Sequence, residues 1–282
     1  MSAVVKTYPM RTFVKRLQIP LFLALTLLIG WFPWYTGRGG VIIVAPTLVG
    51  LLVAFLAEGK EGLLAVLRRL IRWRAGVRWY ALILFAPVLT SLAAVGVHVL
   101  LGGTAPQFPL IRENQHLILL TFLFYLLPWQ SSAFLEEVGL RGYAQEQVQS
   151  KWGPLGGTLV LGVFFGGWLL PEFLRPDSTQ AAMGGLGFYP WFILTEIGWS
   201  LWMAWVYNRT SKSALIAGYL FHTAFNVWPF VLLSDAVPGE ALPAFDTQLL
   251  IVNAVVVALA GAVVALATKG RLGCADEPVL AR

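Results

Sequence analysis

The sequence predicts an all-α, polytopic membrane protein with about eight transmembrane helices and both termini cytoplasmic. Three observations carry that expectation. Of the 282 residues, 58% are hydrophobic and only 12% charged, whereas a soluble domain carries roughly 25% charged residues. Eight apolar runs approach the roughly 20 residues that cross a bilayer. Lys and Arg alternate in step with those runs, as topology-setting charges do.

The runs are 17–34, 41–57, 79–101, 117–136, 158–171, 191–206, 214–233 and 247–267. The first follows a basic start (Lys6, Arg11, Lys15, Arg16), but it continues past Trp31 without a small-residue cleavage site, so it reads as a retained span. The fourth reads on as helix through Arg141. The fifth is short, which predicts a tilted, broken or buried helix. With the N-terminus inside, seventeen of the twenty Lys and Arg residues fall on the cytoplasmic side. Only Arg38, Arg112 and Arg175 fall outside. The net charge of +6 therefore reports topology and not a nucleic-acid partner. Twelve Trp and eight Tyr suit aromatic belts at the two interfaces with the lipid bilayer.

Between the second and third runs, Leu63, Leu64, Leu67, Leu70 and Ile71 recur at helical spacing among Arg68, Arg69, Arg72 and Arg74. The pattern predicts an amphipathic helix over 61–78 on the inner membrane face. The alternative is a cytoplasmic stub packed on the bundle. No internal repeat, low-complexity tract or soluble domain interrupts the chain, so residues 1–282 read as a single integral membrane domain. The lone Cys274 excludes an intrachain disulfide and a Cys-rich zinc site; any metal would have to use His, Asn or carboxylate.

The polar residues inside the apolar runs are few. Glu136 and Glu137 close the fourth run, and Arg141 follows Glu137 by four residues, a spacing that favours an ion pair. Glu136 is turned about 100° away, so it faces elsewhere and is free to act as a base. In the seventh run His222 and Asn226 share one helix face; a His can hold a water or a metal, and an Asn can stabilise an oxyanion. The plainer alternatives are a salt bridge at a helix end and interhelical hydrogen bonds. Counted from the cytoplasmic ends of their helices, taken near Gln145 and Ser213, both groups lie roughly 13 Å deep. That depth predicts that they meet in the cytoplasmic half of the membrane. Glu196 is a further intramembrane carboxyl and by default a site candidate, although an outer helix end reaching headgroups or a neighbouring Thr or Asn is the favoured account. His98 reads as interfacial.

Glu136-Glu137-x-x-x-Arg141-Gly142-Tyr143, together with Phe221-His222-Thr223-Ala224-Phe225-Asn226 and the preceding Tyr207-Asn208-Arg209-Thr210, resembles the motif order of the CAAX prenyl protease and bacteriocin-processing (CPBP) family of intramembrane proteases, which includes the type II CAAX prenyl endopeptidases. The resemblance covers a core of about 117–233. It implies that Glu136, Glu137, Arg141, His222 and Asn226 form the catalytic set. The middle motif departs. The family expects Phe-x-x-x-His, and this chain has Phe165-Gly166-Gly167-Trp168-Leu169-Leu170-Pro171, with Leu169 at the histidine position. Leucine neither binds metal nor moves a proton. Glu172, three residues on, is a weak substitute beside Pro171.

Two functions are consistent with these residues. The first is an intramembrane endopeptidase that cleaves a membrane protein or lipidated peptide with a water activated by Glu136. Metal-free chemistry is favoured over zinc, because catalytic zinc usually takes three protein ligands. The second is a catalytically impaired relative that serves as a scaffold, an assembly factor or an accessory subunit among other membrane subunits. A transporter lacks the paired broken spans it would need. The expected location is the plasma membrane of a prokaryote.

Overall fold

The computed structural model describes residues 9–129, 131–235 and 245–274, with side chains from Arg11 onward. The described residues form helices and no β-strand; Ser234 and Phe245 make an isolated bridge. The long helices are α1 (Pro9–Gly30), α2 (Ala45–Glu58), α3 (Lys60–Leu70), α4 (Val77–Leu100), α5 (Gln115–Tyr125), α6 (Ser132–Gly139), α7 (Gln145–Trp168), α8 (Gly185–Arg209), α9 (Phe221–Leu233) and α10 (Thr247–Ala267). Five stretches are long and apolar enough to cross a membrane: Arg11–Gly30, Val77–Leu100, Ser132–Phe173, Leu215–Leu233 and Thr247–Ala267. The chain is an all-α polytopic membrane protein.

The 42-residue stretch Ser132–Phe173 is two crossings, not one. At Gly153 the backbone takes φ 73° and ψ 169°, a left-handed-side conformation open to glycine, and Pro154 starts the return arm. The two arms pack antiparallel, with Gln145 Nε2 donating to Thr158 Oγ1 at 3.2 Å. This hairpin accounts for the shortness of the fifth run and keeps eight crossings consistent with the charge alternation.

Run four departs from its expectation. It is not one helix over 117–136: α5 ends at Tyr125, and α6 restarts at Ser132. Pro128 cannot donate a helical N–H and disfavours helical backbone before it. Ser131 then caps α6 by accepting the Phe134 N–H at 3.3 Å. Helix also persists past Gln145 to Trp152, so Glu136 lies about 24 Å from the Gly153 turn at 1.5 Å per residue, deeper than the sequence estimate. The surface helix is shorter than expected as well. It ends at Leu70, and residues 72–76 are non-helical. Arg69 donates to the Gly142 carbonyl at 2.8 Å and pairs with Glu146 at 3.7 Å, which ties α3 to the bundle. Leu67, Ile71 and Trp73 stay exposed beside it. Packing on the bundle and apolar exposure thus coexist.

Helices approach closely where small residues meet, the usual solution where lipid removes a hydrophobic drive between helices. Gly50 of α2 lies against the Gly139 Cα, Gly162 and Gly166 of α7 lie on the backbone of Ile197 and Ile193, and Gly198 of α8 crosses Gly261 of α10. Outward positions such as Leu52, Phe55, Phe85, Leu89, Leu259 and Val263 are exposed hydrocarbon, as a lipid-facing surface requires. The interior is aromatic around Trp168, Phe165 and Phe22 on one side and Trp199, Tyr207 and Phe221 on the other.

Candidate active site

Two π-helical segments flank the polar centre. Leu140–Ala144 joins α6 to α7, and Leu215–Leu220 leads into α9. A π turn adds a residue to a helical repeat and re-aims the side chains beyond it, which is why such turns cluster at sites. Here the first holds Arg141 and the second presents His222.

Arg141, fully buried, donates from Nη1 to Glu137 Oε1 at 2.9 Å and from Nη2 to Ser200 Oγ at 3.0 Å. Its guanidinium also sits 5.5 Å from the Phe165 ring centroid. The same Glu137 oxygen lies 2.9 Å from His222 Nδ1. Glu137 Oε1 accepts from Arg141, so in the neutral imidazole Nδ1–H is assigned as the donor to it and Nε2 keeps the free lone pair. The imidazole is fixed by Phe225, stacked at 4.5 Å and 13°, and by the edge of Phe165 at 5.5 Å. Gly218 permits this approach: a Cβ there would stand 3.0 Å from Glu137 Oε2 and 3.2 Å from Arg141 Cβ.

Glu136 points away from Arg141, as one residue of helical rotation requires. Its Oε1 accepts the Trp168 indole N–H at 2.8 Å. Trp168 is itself held by Trp31, whose Nε1 donates to the Trp168 carbonyl at 2.8 Å, and its ring fills the space left by Gly30.

A cavity of about 260 Å³ opens in front of these groups. Glu136, His222, Asn226, Glu196 and Leu169 all line it, with Phe165, Trp199 and Phe225 as apolar wall. Glu137 and Arg141 do not line it; they stand behind His222 and orient it. The lining continues to Thr179, Gln180, Met183 and Phe245, so the cavity extends toward the end of the bundle that the charge bias makes the outer one.

The two residues weighed against Leu169 separate clearly. Glu172 accepts the Val41 N–H at 2.9 Å and pairs with Arg175 at 3.0 Å, away from the cavity. Glu196 is buried inside the bundle and faces the cavity, not the headgroups, because α8 starts at Gly185 and places it eleven residues in. His98 is buried too, 3.3 Å from Asp246 at the start of α10, and lies outside the cavity lining. Among the described residues no three His, Cys, Asp or Glu side chains gather as metal ligands would. Leu169 lines the cavity as hydrocarbon and offers no donor atom.

Sequence reasoning assigned no role to Trp168, Ser200 or Gly218. Ser200 had a signal, since Glu196 and Ser200 stand four apart as a polar stripe on an otherwise apolar helix. Trp168 and Gly218 had none, because their roles are contacts across helices.

A family model described as Rce1-like, type II CAAX prenyl endopeptidase Rce1-like, matches residues 117–228. The matched segment contains both halves of the polar centre and covers about two fifths of the chain. No curated protein matches the chain.

Proposed function

We propose that the chain, whose residues 117–228 match the Rce1-like type II CAAX prenyl endopeptidase model, is a CAAX-type intramembrane protease that hydrolyses a peptide bond of a membrane-embedded or lipidated substrate with a water activated by Glu136, without a metal. The observation that carries this reading is the convergence of Glu136, His222 and Asn226 on one cavity, with the Glu137–Arg141 pair behind His222.

Those placements set the chemistry. Glu136 takes a proton from a water in the cavity as the water oxygen adds to the scissile carbonyl carbon. The Trp168 N–H holds the Glu136 carboxylate in place. His222 Nε2 accepts the second water proton in a hydrogen bond and fixes the attack direction, because Nδ1 is occupied by Glu137. The Asn226 amide donates to the developing oxyanion, a kind of interaction worth roughly 3–4 kcal/mol where it has been removed by mutation. A cavity walled by aromatic side chains suits a lipidated or hydrophobic segment. A prokaryotic plasma membrane is the setting proposed.

The test is cleavage of a peptide carrying a prenylated cysteine and a three-residue C-terminal tail. Glu136→Ala and His222→Ala abolish cleavage while the protein still folds. Full activity in Glu136→Ala overturns the mechanism. Leu169 favours a second reading, a fold retained as a scaffold or accessory subunit. That reading gains if the wild type is silent and Leu169→His creates cleavage.

A further inference from the structure

Glu196 is a carboxyl to which the proposed hydrolysis assigns no role. It is buried in the middle of α8, its Oε2 has no hydrogen-bond partner, and it forms no ion pair among the described residues. The one cation in the polar centre, Arg141, is already engaged by Glu137 and Ser200. A carboxyl buried without a partner is costly, and an intramembrane one is retained for function more often than for stability. Its surroundings show what it serves. It lines the same cavity as Glu136, His222 and Asn226. Glu136 and Glu196 are the carboxyls among the residues that line the cavity, and Leu169, Phe192 and Phe225 are apolar.

We propose that Glu196 is a second catalytic carboxyl of this cavity: the acid that protonates the leaving amine nitrogen, in the role a ring nitrogen at position 169 would fill. This rests on the reading of Glu136 as the base. Two carboxyls in one low-dielectric site share a proton more easily than they carry two charges. The balance is complete. Glu136 takes one proton from water, and the remaining hydroxide forms the new C–O bond. The carbon–nitrogen bond then breaks as nitrogen takes the Glu196 proton. Proton transfer from Glu136 to Glu196 restores the starting state, and the products are one carboxylic acid and one amine.

The experiment measures kcat and KM against pH on the prenylated tail peptide, for wild type, Glu136→Gln, Glu196→Gln, Glu196→Asp and the double variant Glu196→Gln with Leu169→His. Glu196→Gln is expected to lower kcat about 100- to 10,000-fold, the range of a general acid, with KM changed less than about threefold and with one limb of the pH–rate profile removed. Glu196→Asp recovers part of the rate, and histidine at position 169 recovers activity in the Gln background. A merely structural Glu196 would move none of the pH profile. Wild-type kcat and an unaltered profile in Glu196→Gln, with Glu136→Gln inactive, overturn this proposal alone. No cleavage by the wild type overturns it together with the proposed function.

Discussion

His222 Nδ1 and Glu137 Oε1 stand 2.9 Å apart although 85 residues separate them in the chain. The contact joins α9 to α6 through the same oxygen that Arg141 grips. Glu137 therefore couples the two halves of the polar centre, and its removal leaves His222 Nδ1 without its acceptor and Arg141 with Ser200 but no carboxylate.

Glu137→Ala is expected to destabilise the protein by about 3–5 kcal/mol, the usual cost of leaving one member of a buried ion pair alone. Glu137→Ala combined with Arg141→Leu should recover much of that loss, since no unpaired charge remains. Thermal unfolding in detergent for the two variants checks this. A double variant less stable than Glu137→Ala contradicts it.

Trp168→Phe deletes the indole N–H to Glu136 together with the ring atoms that stand against Gly30. A hydrogen bond to a charged group contributes about 1.5–3 kcal/mol. We expect kcat to fall about 10- to 100-fold and the melting temperature to drop with it, measured by initial rates alongside a melting curve.

Gly218→Ala places a methyl 3.0 Å from Glu137 Oε2 and 3.2 Å from Arg141 Cβ. Overpacking of this kind costs about 1–3 kcal/mol. It should also push Glu137 away from His222, so activity falls more steeply than stability. Gly167→Ala, where a Cβ meets nothing within 4 Å, is the control expected to leave the fold unchanged.

The orientation set by Lys and Arg is checked with the single native cysteine removed as Cys274→Ser. A Cys introduced at Asp177, an exposed position, is expected to react with a membrane-impermeant maleimide on intact cells. One introduced at Lys151, next to the Gly153 turn, should react only after permeabilisation. The reverse pattern inverts the topology.

Much of this was legible along the chain. Thr247–Ala267 coincides with the eighth apolar run, because a lipid-facing helix is written wholly in its own hydropathy. The Glu137–Arg141 pair was legible for a similar reason: both partners lie on one helical stretch four residues apart. The break between α5 and α6 was marked by Pro128, yet the continuous hydropathy around it concealed two helices.

Hydropathy, charge alternation and local spacing act over one helix at a time, so they suffice to read the chain as helical, membrane-embedded and carrying a few polar residues where hydrocarbon is the rule. Packing between helices set the rest: Glu136 is held by Trp168, Glu137 serves His222 as well as Arg141, and Glu196 shares the cavity of Glu136 and His222. Those relations depend on the hairpin at Gly153 and on glycine contacts that bring distant helices into register. No local pattern encodes a distance between helices; the packing of small residues sets it.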